Sequence, residues 1–157
     1  MTGTPYVSQQ GPPYSIHSER VAVASMVRFP SLIGRMREIL PDPSVLYSAT
    51  HERQYRALLQ AHENSSPATT ADLSAVLGTL GLIEAIGGTA ALRELAAEGL
   101  EETAALDHAR NLAEKARMRR LIETLAELLN QAYRSNEGFD ALLKSARKRL
   151  DALARAR

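Results

Sequence analysis

The stretch Thr103–Arg134, TAALDHARNLAEKARMRRLIETLAELLNQAYR, decides the fold, because it holds neither glycine nor proline. Nothing in it breaks an α-helix, so it reads as one continuous helix of about 48 Å at about 1.5 Å per residue. Ser135-Asn136-Glu137-Gly138 follows as a turn signal, and Phe139–Ala156 reads as a second helix, so the two form an αα-hairpin. The apolar residues of the second helix, among them Phe139, Leu142, Leu143 and Leu150, cover an arc of roughly 100°, the width of one packing seam. The first helix differs. Its residues Met118, Leu121, Ile122, Leu125, Leu128 and Leu129, with Ala126, Ala132 and Tyr133, spread over roughly 160°. One partner helix cannot cover that arc. Its surplus must pack on the rest of the chain or on another chain. Large apolar patches rarely persist on monomers, so the expectation is self-association through the hairpin.

Upstream, four of the seven prolines lie at Pro30, Pro41, Pro43 and Pro67, and they punctuate a set of shorter helices. Ser18 is the expected cap of the first, which runs to about Arg28. Ser31–Leu40 places Leu32, Ile33, Met36 and Leu40 on one face. A third helix covers about Thr50–Glu63, with Tyr55, Leu58 and Leu59 inward. Thr70 is the expected cap of a fourth, carrying Leu73, Val76, Leu77 and Leu80 and closed by Gly81. A short apolar turn, Leu82–Ile86, reaches Gly87-Gly88, and a fifth helix, Ala90–Ala97, ends at Gly99. Met1–Pro13 has no charged side chain and three prolines, and reads as a flexible leader. The expected fold class is therefore all-α: a leader (1–13), a globular helical head (14–101) and a long helical hairpin (102–157).

Composition agrees with helix packing. Apolar residues make up 45% of the chain, but only two Phe and five Tyr are aromatic and there is no Trp, so the core falls to Leu, Ala, Val, Ile and Met. Net charge is +1, which gives no bulk argument for nucleic acid or membrane. Residues 101–157 hold twelve Lys/Arg against nine Asp/Glu. Lys144, Arg147, Lys148, Arg149, Arg155 and Arg157 crowd the last helix, where cations complement the helix dipole. A phosphate-binding strip is the alternative reading, although no aromatic residue is interleaved to stack a base.

Catalytic signatures are missing from the sequence. Cysteine is absent, which removes disulfides, thiolate catalysis and Cys-ligated metals. No Gly-x-x-x-x-Gly-Lys-Ser/Thr phosphate loop and no Gly-x-Ser-x-Gly elbow occur. Gly78-Thr79-Leu80-Gly81 and Gly87-Gly88 have no Lys beside them and read as helix breaks. His17, His51, His62 and His108 form no His-x-x-x-His pair, and His51-Glu52 and His62-Glu63 read as solvated faces. No cofactor, metal or catalytic residue is expected. With no long uncharged apolar run, the expected location is the cytoplasm and no membrane contact is expected.

Four blocks, in order, carry a family resemblance. Pro13-Tyr14-Ser15-Ile16-His17-Ser18-Glu19-Arg20 is followed by Leu46-Tyr47 with His51-Glu52-Arg53 and Tyr55-Arg56-Ala57-Leu58. Leu80-Gly81-Leu82-Ile83-Glu84-Ala85-Ile86-Gly87-Gly88, with Leu92 and Leu95, comes next. Ala109-Arg110-Asn111-Leu112-Ala113-Glu114-Lys115-Ala116 with Arg119-Arg120-Leu121-Ile122 completes the set. This order resembles the N-terminal domain of DnaB-type replicative DNA helicases, over about Pro13 to Leu153. Ala24 stands where that family usually has Gly, and Ala91 where it usually has Tyr. The resemblance implies a non-catalytic module whose hairpins pair into dimers, up to a trimer of dimers. It implies recruitment of the primase C-terminal domain, with a helicase loader as a further candidate partner and DNA met only indirectly. The family's ATPase domain would follow a linker, and the sequence stops at Arg157, so an excised domain and a stand-alone regulator of a helicase both stay open. On this reading the interface residues are Met118, Leu121, Ile122, Leu125, Leu128 and Leu129 on the first hairpin helix. On the second they are Phe139, Leu142, Leu143 and Leu150.

Overall fold

A helix whose residues are apolar on every side belongs inside a protein. Ile16–Arg28 (α1) carries such a stretch in Val21–Val27, all of it buried, with Ser18 and Glu19. The computed structural model describes residues 11–134 and 138–155, and among them the chain forms α-helices, one short 3-10 helix and no strand. Around α1 stand Leu32–Ile39 (α2), Ala49–Ser65 (α3), Thr70–Thr79 (α4), Ile83–Ile86 (α5) and Gly88–Glu98 (α6), with the 3-10 turn Pro43–Val45 between α2 and α3. Glu102–Arg134 (α7) and Phe139–Arg155 (α8) complete the chain. The all-α expectation, a helical head followed by a long helical hairpin, holds. Met1–Gln10 and Ser135–Glu137 lie outside the described residues, and with them most of the expected leader and the expected hairpin turn.

The described residues divide into two compact units, Tyr14–Ala116 and a second one made mainly of those from Arg117 on, and the division falls within α7. The first unit holds the core. Met26, Val23 and Val27 of α1 meet Ile33 and Met36 of α2, Tyr55 and Leu58 of α3, Leu73 and Leu77 of α4, and Ile86 of α5, all at most 1% exposed. The Tyr55 hydroxyl donates to Leu40 O at 2.7 Å, which satisfies the one polar atom of the largest buried side chain. Burial pushes the Tyr55 pKa well above that of an ordinary phenol. Ala105, Leu106, Ala109, Leu112 and Ala116 of α7 are buried in this unit as well.

Two caps differ from expectation by a few residues. The first helix begins at Ile16, and its cap is Ser15, whose hydroxyl accepts from Ser18 N–H at 3.2 Å. Ser18, already three residues into the helix, is buried. The fourth helix is capped by Thr69, not Thr70, because Thr69 and Asp72 bond reciprocally in a capping box. Thr70 instead donates to Val27 O at 3.0 Å and fastens α4 to the end of α1. Gly87 and Gly88 take positive φ, 106° and 89°, which lets α5 reverse into α6 in two residues. Gly99 is needed for a different reason: a Cβ there would lie 2.7 Å from both Ala24 O and Arg28 Cβ. That close approach lets Arg28 donate to Gly99 O at 2.7 Å and Leu100 N–H donate to Ser25 Oγ at 3.0 Å.

Candidate functional site

Beyond Ala116, α7 stops burying residues. Met118, Ile122, Leu125 and Leu129 are 43%, 46%, 49% and 48% exposed, a level at which nearly half of each apolar surface still meets water. Their spacing of four, three and four residues is that of a heptad seam, so they form one straight stripe along the helix. Leu121 and Leu128, offset by one position, are half-buried. Leu128 borders an open apolar groove of about 340 Å³ with Leu125 and Leu129 of α7 and Phe139, Leu142, Leu143 and Ala146 of α8. On α8, Leu142 and Leu150 are half-buried, while Phe139 is 78% exposed. The ten expected interface residues thus fall into two sets. Leu121, Leu128, Leu142 and Leu150 are half-covered within the chain; Met118, Ile122, Leu125, Leu129, Phe139 and Leu143 are open. An Arg149–Glu127 ion pair joins α8 to α7 within this unit.

Polar groups concentrate in the first unit, where they join the sequence blocks that stood apart along the chain. Glu19, buried on α1, accepts from Tyr47 N–H at 2.5 Å, Ser48 N–H at 3.0 Å and His51 Nδ1 at 3.0 Å. Burial alone would raise the Glu19 pKa, but the bonds from His51, Tyr47 and Ser48 outweigh it and hold the carboxyl below its usual range. His51 is therefore no solvated face. It is buried against Glu19, because the Ser48 cap at the start of α3 turns it toward α1. His62 is half-buried with a buried, unpartnered Nδ1, which again corrects the solvated reading. Gln54 Nε2 donates to Ile86 O at 2.9 Å and ties the second block to the third. Tyr14 and Tyr47 stack with ring centroids 4.5 Å apart.

The scattered histidines are partly gathered. His17 and His108 meet edge to face with ring centroids 5.4 Å apart, and His108 Nδ1 lies 3.0 Å from Ser18 Oγ, which also takes Asn111 Nδ2 at 2.9 Å. Sequence reasoning did not find this cluster. Its only signal was His108 and Asn111 three residues apart on one face of α7. Among the described residues no group of three or more His, Cys, Asp or Glu is placed to hold a metal, and no helix is long and apolar enough to cross a membrane. The polar atoms around Glu19 and Ser18 bond to one another and position helices, while Glu52, Arg53, Arg56 and Gln60 of α3 line a separate open groove of about 350 Å³ with Leu82 and Ala85.

Comparison with known proteins places the chain. Residues 11–114 match the family model described as DnaB-like helicase N terminal domain. The chain is 29% identical over 144 residues to the replicative DNA helicase DnaB of Geobacillus stearothermophilus, covering 91% of this chain and 31% of that protein. It is 31% identical over 122 residues to the replicative DNA helicase DnaB of Rhodothermus marinus, covering 78% of this chain and 13% of that protein. Among solved structures, the crystal structure of the N-terminal domain of DnaB helicase from Mycobacterium tuberculosis matches with a TM-score of 0.69 at 25% identity, covering 90% of this chain and 99% of that one. The chain therefore spans less than a third of the length of these helicase relatives, and the part it matches is the N-terminal domain.

Proposed function

The chain belongs to the DnaB-like helicase N-terminal domain family, and on that premise we propose that it is the oligomerisation and partner-docking module of a replicative DNA helicase. It carries no phosphate loop of its own and is not a catalytic unit. The observation that supports the proposal most directly is the open heptad stripe Met118-Ile122-Leu125-Leu129, continued by Phe139 and Leu143. Burying what remains exposed of these six side chains contributes about 1 kcal/mol each, and two-fold symmetry doubles the sum. Association costs about 4–15 kcal/mol, so a dimer of micromolar affinity, about −8 kcal/mol, forms when that cost lies toward its lower end. Such dimers are the unit from which a trimer of dimers would assemble. The primase C-terminal domain and a helicase loader are the partners that the assembled module would receive in the cytoplasm.

Sedimentation velocity tests the first half of this reading. Ile122→Glu with Leu129→Glu places two charges on the stripe, at positions already open to water. The variant should keep its helical circular dichroism and sediment as a monomer, while the parent chain should sediment as a dimer. A parent chain that stays monomeric at high micromolar concentration overturns the proposal. Calorimetric titration with a primase C-terminal domain tests the second half, where absence of binding removes the docking role.

Binding of nucleic acid by α8 is the weaker reading. Lys144, Arg147, Lys148 and Arg155 share the face turned away from the half-buried residues, but Asp140 and Asp151 share it too. A salt-dependent shift of single-stranded DNA by this chain would restore that reading.

A further inference from the structure

The hydrogen atoms around Ser18 follow from the direction of its bond with Ser15. Ser18 Oγ has three partners: Ser15 Oγ at 3.0 Å, Asn111 Nδ2 at 2.9 Å and His108 Nδ1 at 3.0 Å. A hydroxyl has two lone pairs and one hydrogen, and the Asn amide nitrogen can only donate. Ser15 Oγ donates to Ser18 Oγ, so both lone pairs are filled and the single Ser18 hydrogen goes to His108 Nδ1; the reverse bond, Ser18 to Ser15, would make His108 Nδ1 the donor. The His108 nitrogen is then an acceptor, so the ring is neutral with its proton on Nε2. Every group in the cluster is satisfied in this state, and Ser18 is buried.

A proton arriving at His108 Nδ1 turns that acceptor into a donor. Ser18 Oγ then has no free lone pair unless its own hydrogen turns toward Ser15, which must in turn give up its donation. The new cation would sit half-buried with the His17 ring edge to face upon it. Asp107 is the opposing charge that acts on it, and its carboxylate is already paired with Arg110 at 2.6 Å. Burial, and the repulsion of His17 after it, depress the His108 pKa below the ordinary imidazole value, against a smaller opposing pull from Asp107.

We propose that Ser15, Ser18, His108 and Asn111 form a proton-sensitive latch between α1 and the first half of α7. The latch is closed while His108 is neutral and opens when the imidazole takes up a proton. It goes beyond the oligomerisation reading and does not depend on it, since all four residues belong to the unit Tyr14–Ala116. With a folded pKa below the unfolded one, the native state binds fewer protons through that interval, so stability rises with pH there. The contribution of the closed latch to stability is complete above the unfolded value of about 6.5 and declines as pH falls to the folded value, through which the latch itself opens.

Nitrogen-15 NMR of the histidine rings in the intact chain, combined with hydrogen exchange, tests the latch. The expected result is a His108 that titrates below about 6.5, carries its proton on Nε2 when neutral, and whose protonation accompanies a several-fold loss of amide protection over residues 105–116. His108→Gln can still bond to Ser18 without titrating, so its protection over 105–116 should lose the pH dependence seen below about 6.5. His17→Gln, at an exposed position, should raise the His108 pKa by removing the neighbouring ring, and supplies the test should His108→Gln fail to fold. A His108 that titrates at or above 6.5, a neutral ring protonated on Nδ1, or an unchanged pH dependence in His108→Gln overturns the latch.

Discussion

The two halves of α7 are built from the same kinds of residue and meet opposite fates. From Ala105 to Ala116 the helix buries Ala105, Leu106, Ala109, Leu112 and Ala116, three of them alanines, whose small side chains suit close helix packing. From Met118 to Leu129 it carries bulkier side chains, yet none of its residues is buried. Bulk and burial usually run together. Their divergence within one uninterrupted helix shows that helix formation and packing are separate decisions. The helix forms throughout because nothing breaks it, while burial depends on what lies alongside. A stripe of large side chains on heptad spacing without cover is the surface that the proposed self-association would bury.

Mutation can break this comparison most forcefully in the core. Leu77→Ala, at a fully buried position, should destabilise the fold by about 2–5 kcal/mol in urea unfolding. Leu125→Ala, with about half its surface already in water, should leave monomer stability nearly unchanged and weaken self-association instead. Equal losses of stability at the two positions would mean that the outer half of α7 is packed internally. Next in size is Gly99→Ala. The added Cβ meets Ala24 O and Arg28 Cβ at 2.7 Å, and relieving that overlap should cost about 3 kcal/mol and lower the unfolding midpoint.

Much of this was legible before any coordinates. The helix pattern was carried by prolines and glycines, because each acts on the backbone locally; Gly81, Gly87-Gly88 and Gly99 all mark real ends. The apolar residues Leu32, Ile33, Met36, Tyr55, Leu58, Leu73 and Leu77 were readable as core because helical periodicity alone sorts them. Caps were misplaced at Ser18 and Thr70, because neighbouring Ser and Thr residues compete and only the bonds made decide between them. The polar joints were not legible at all. Glu19 reaches His51 and Ser18 reaches His108 across wide sequence gaps, and nothing local in the chain encodes such a meeting. In the hairpin, periodicity delivered the width of the apolar arc but not which residues within it stay open.

Glu19→Gln sharpens the contrast from the head's side. A buried carboxylate accepts from two backbone N–H groups and His51, whereas an amide offers one oxygen and leaves a donor facing a donor. The loss should be about 2 kcal/mol near neutral pH. Because the folded pKa of Glu19 is depressed, its stabilisation is complete above the unfolded value of about 4.5 and disappears as pH falls through the folded one. The melting temperatures of parent and variant should therefore converge on acidification below about pH 4.5, and a constant difference down to pH 3 would show that the carboxylate charge is not what the site uses.

Arg149→Ala should have the smallest effect, and its smallness is informative. Arg149 pairs with Glu127 between α8 and α7, but both side chains meet water, at 37% and 62% exposure. An ion pair in such a setting gains little Coulomb energy, orders two long side chains and is screened by salt, so its deletion should cost less than about 1 kcal/mol. The deletion should also be insensitive to the state of the head, since both residues lie in the unit Arg117–Arg157. Thermal unfolding at low and high salt measures this directly: the parent should lose the small advantage at high salt, where screening has already removed what the variant lacks. A loss of several kcal/mol that persists in high salt would mean that the pair is buried in solution, and a loss that also grows with protein concentration would place a second chain across the hairpin. This exposed ion pair therefore offers a second reading of the stripe beside it, independent of any substitution on the stripe itself.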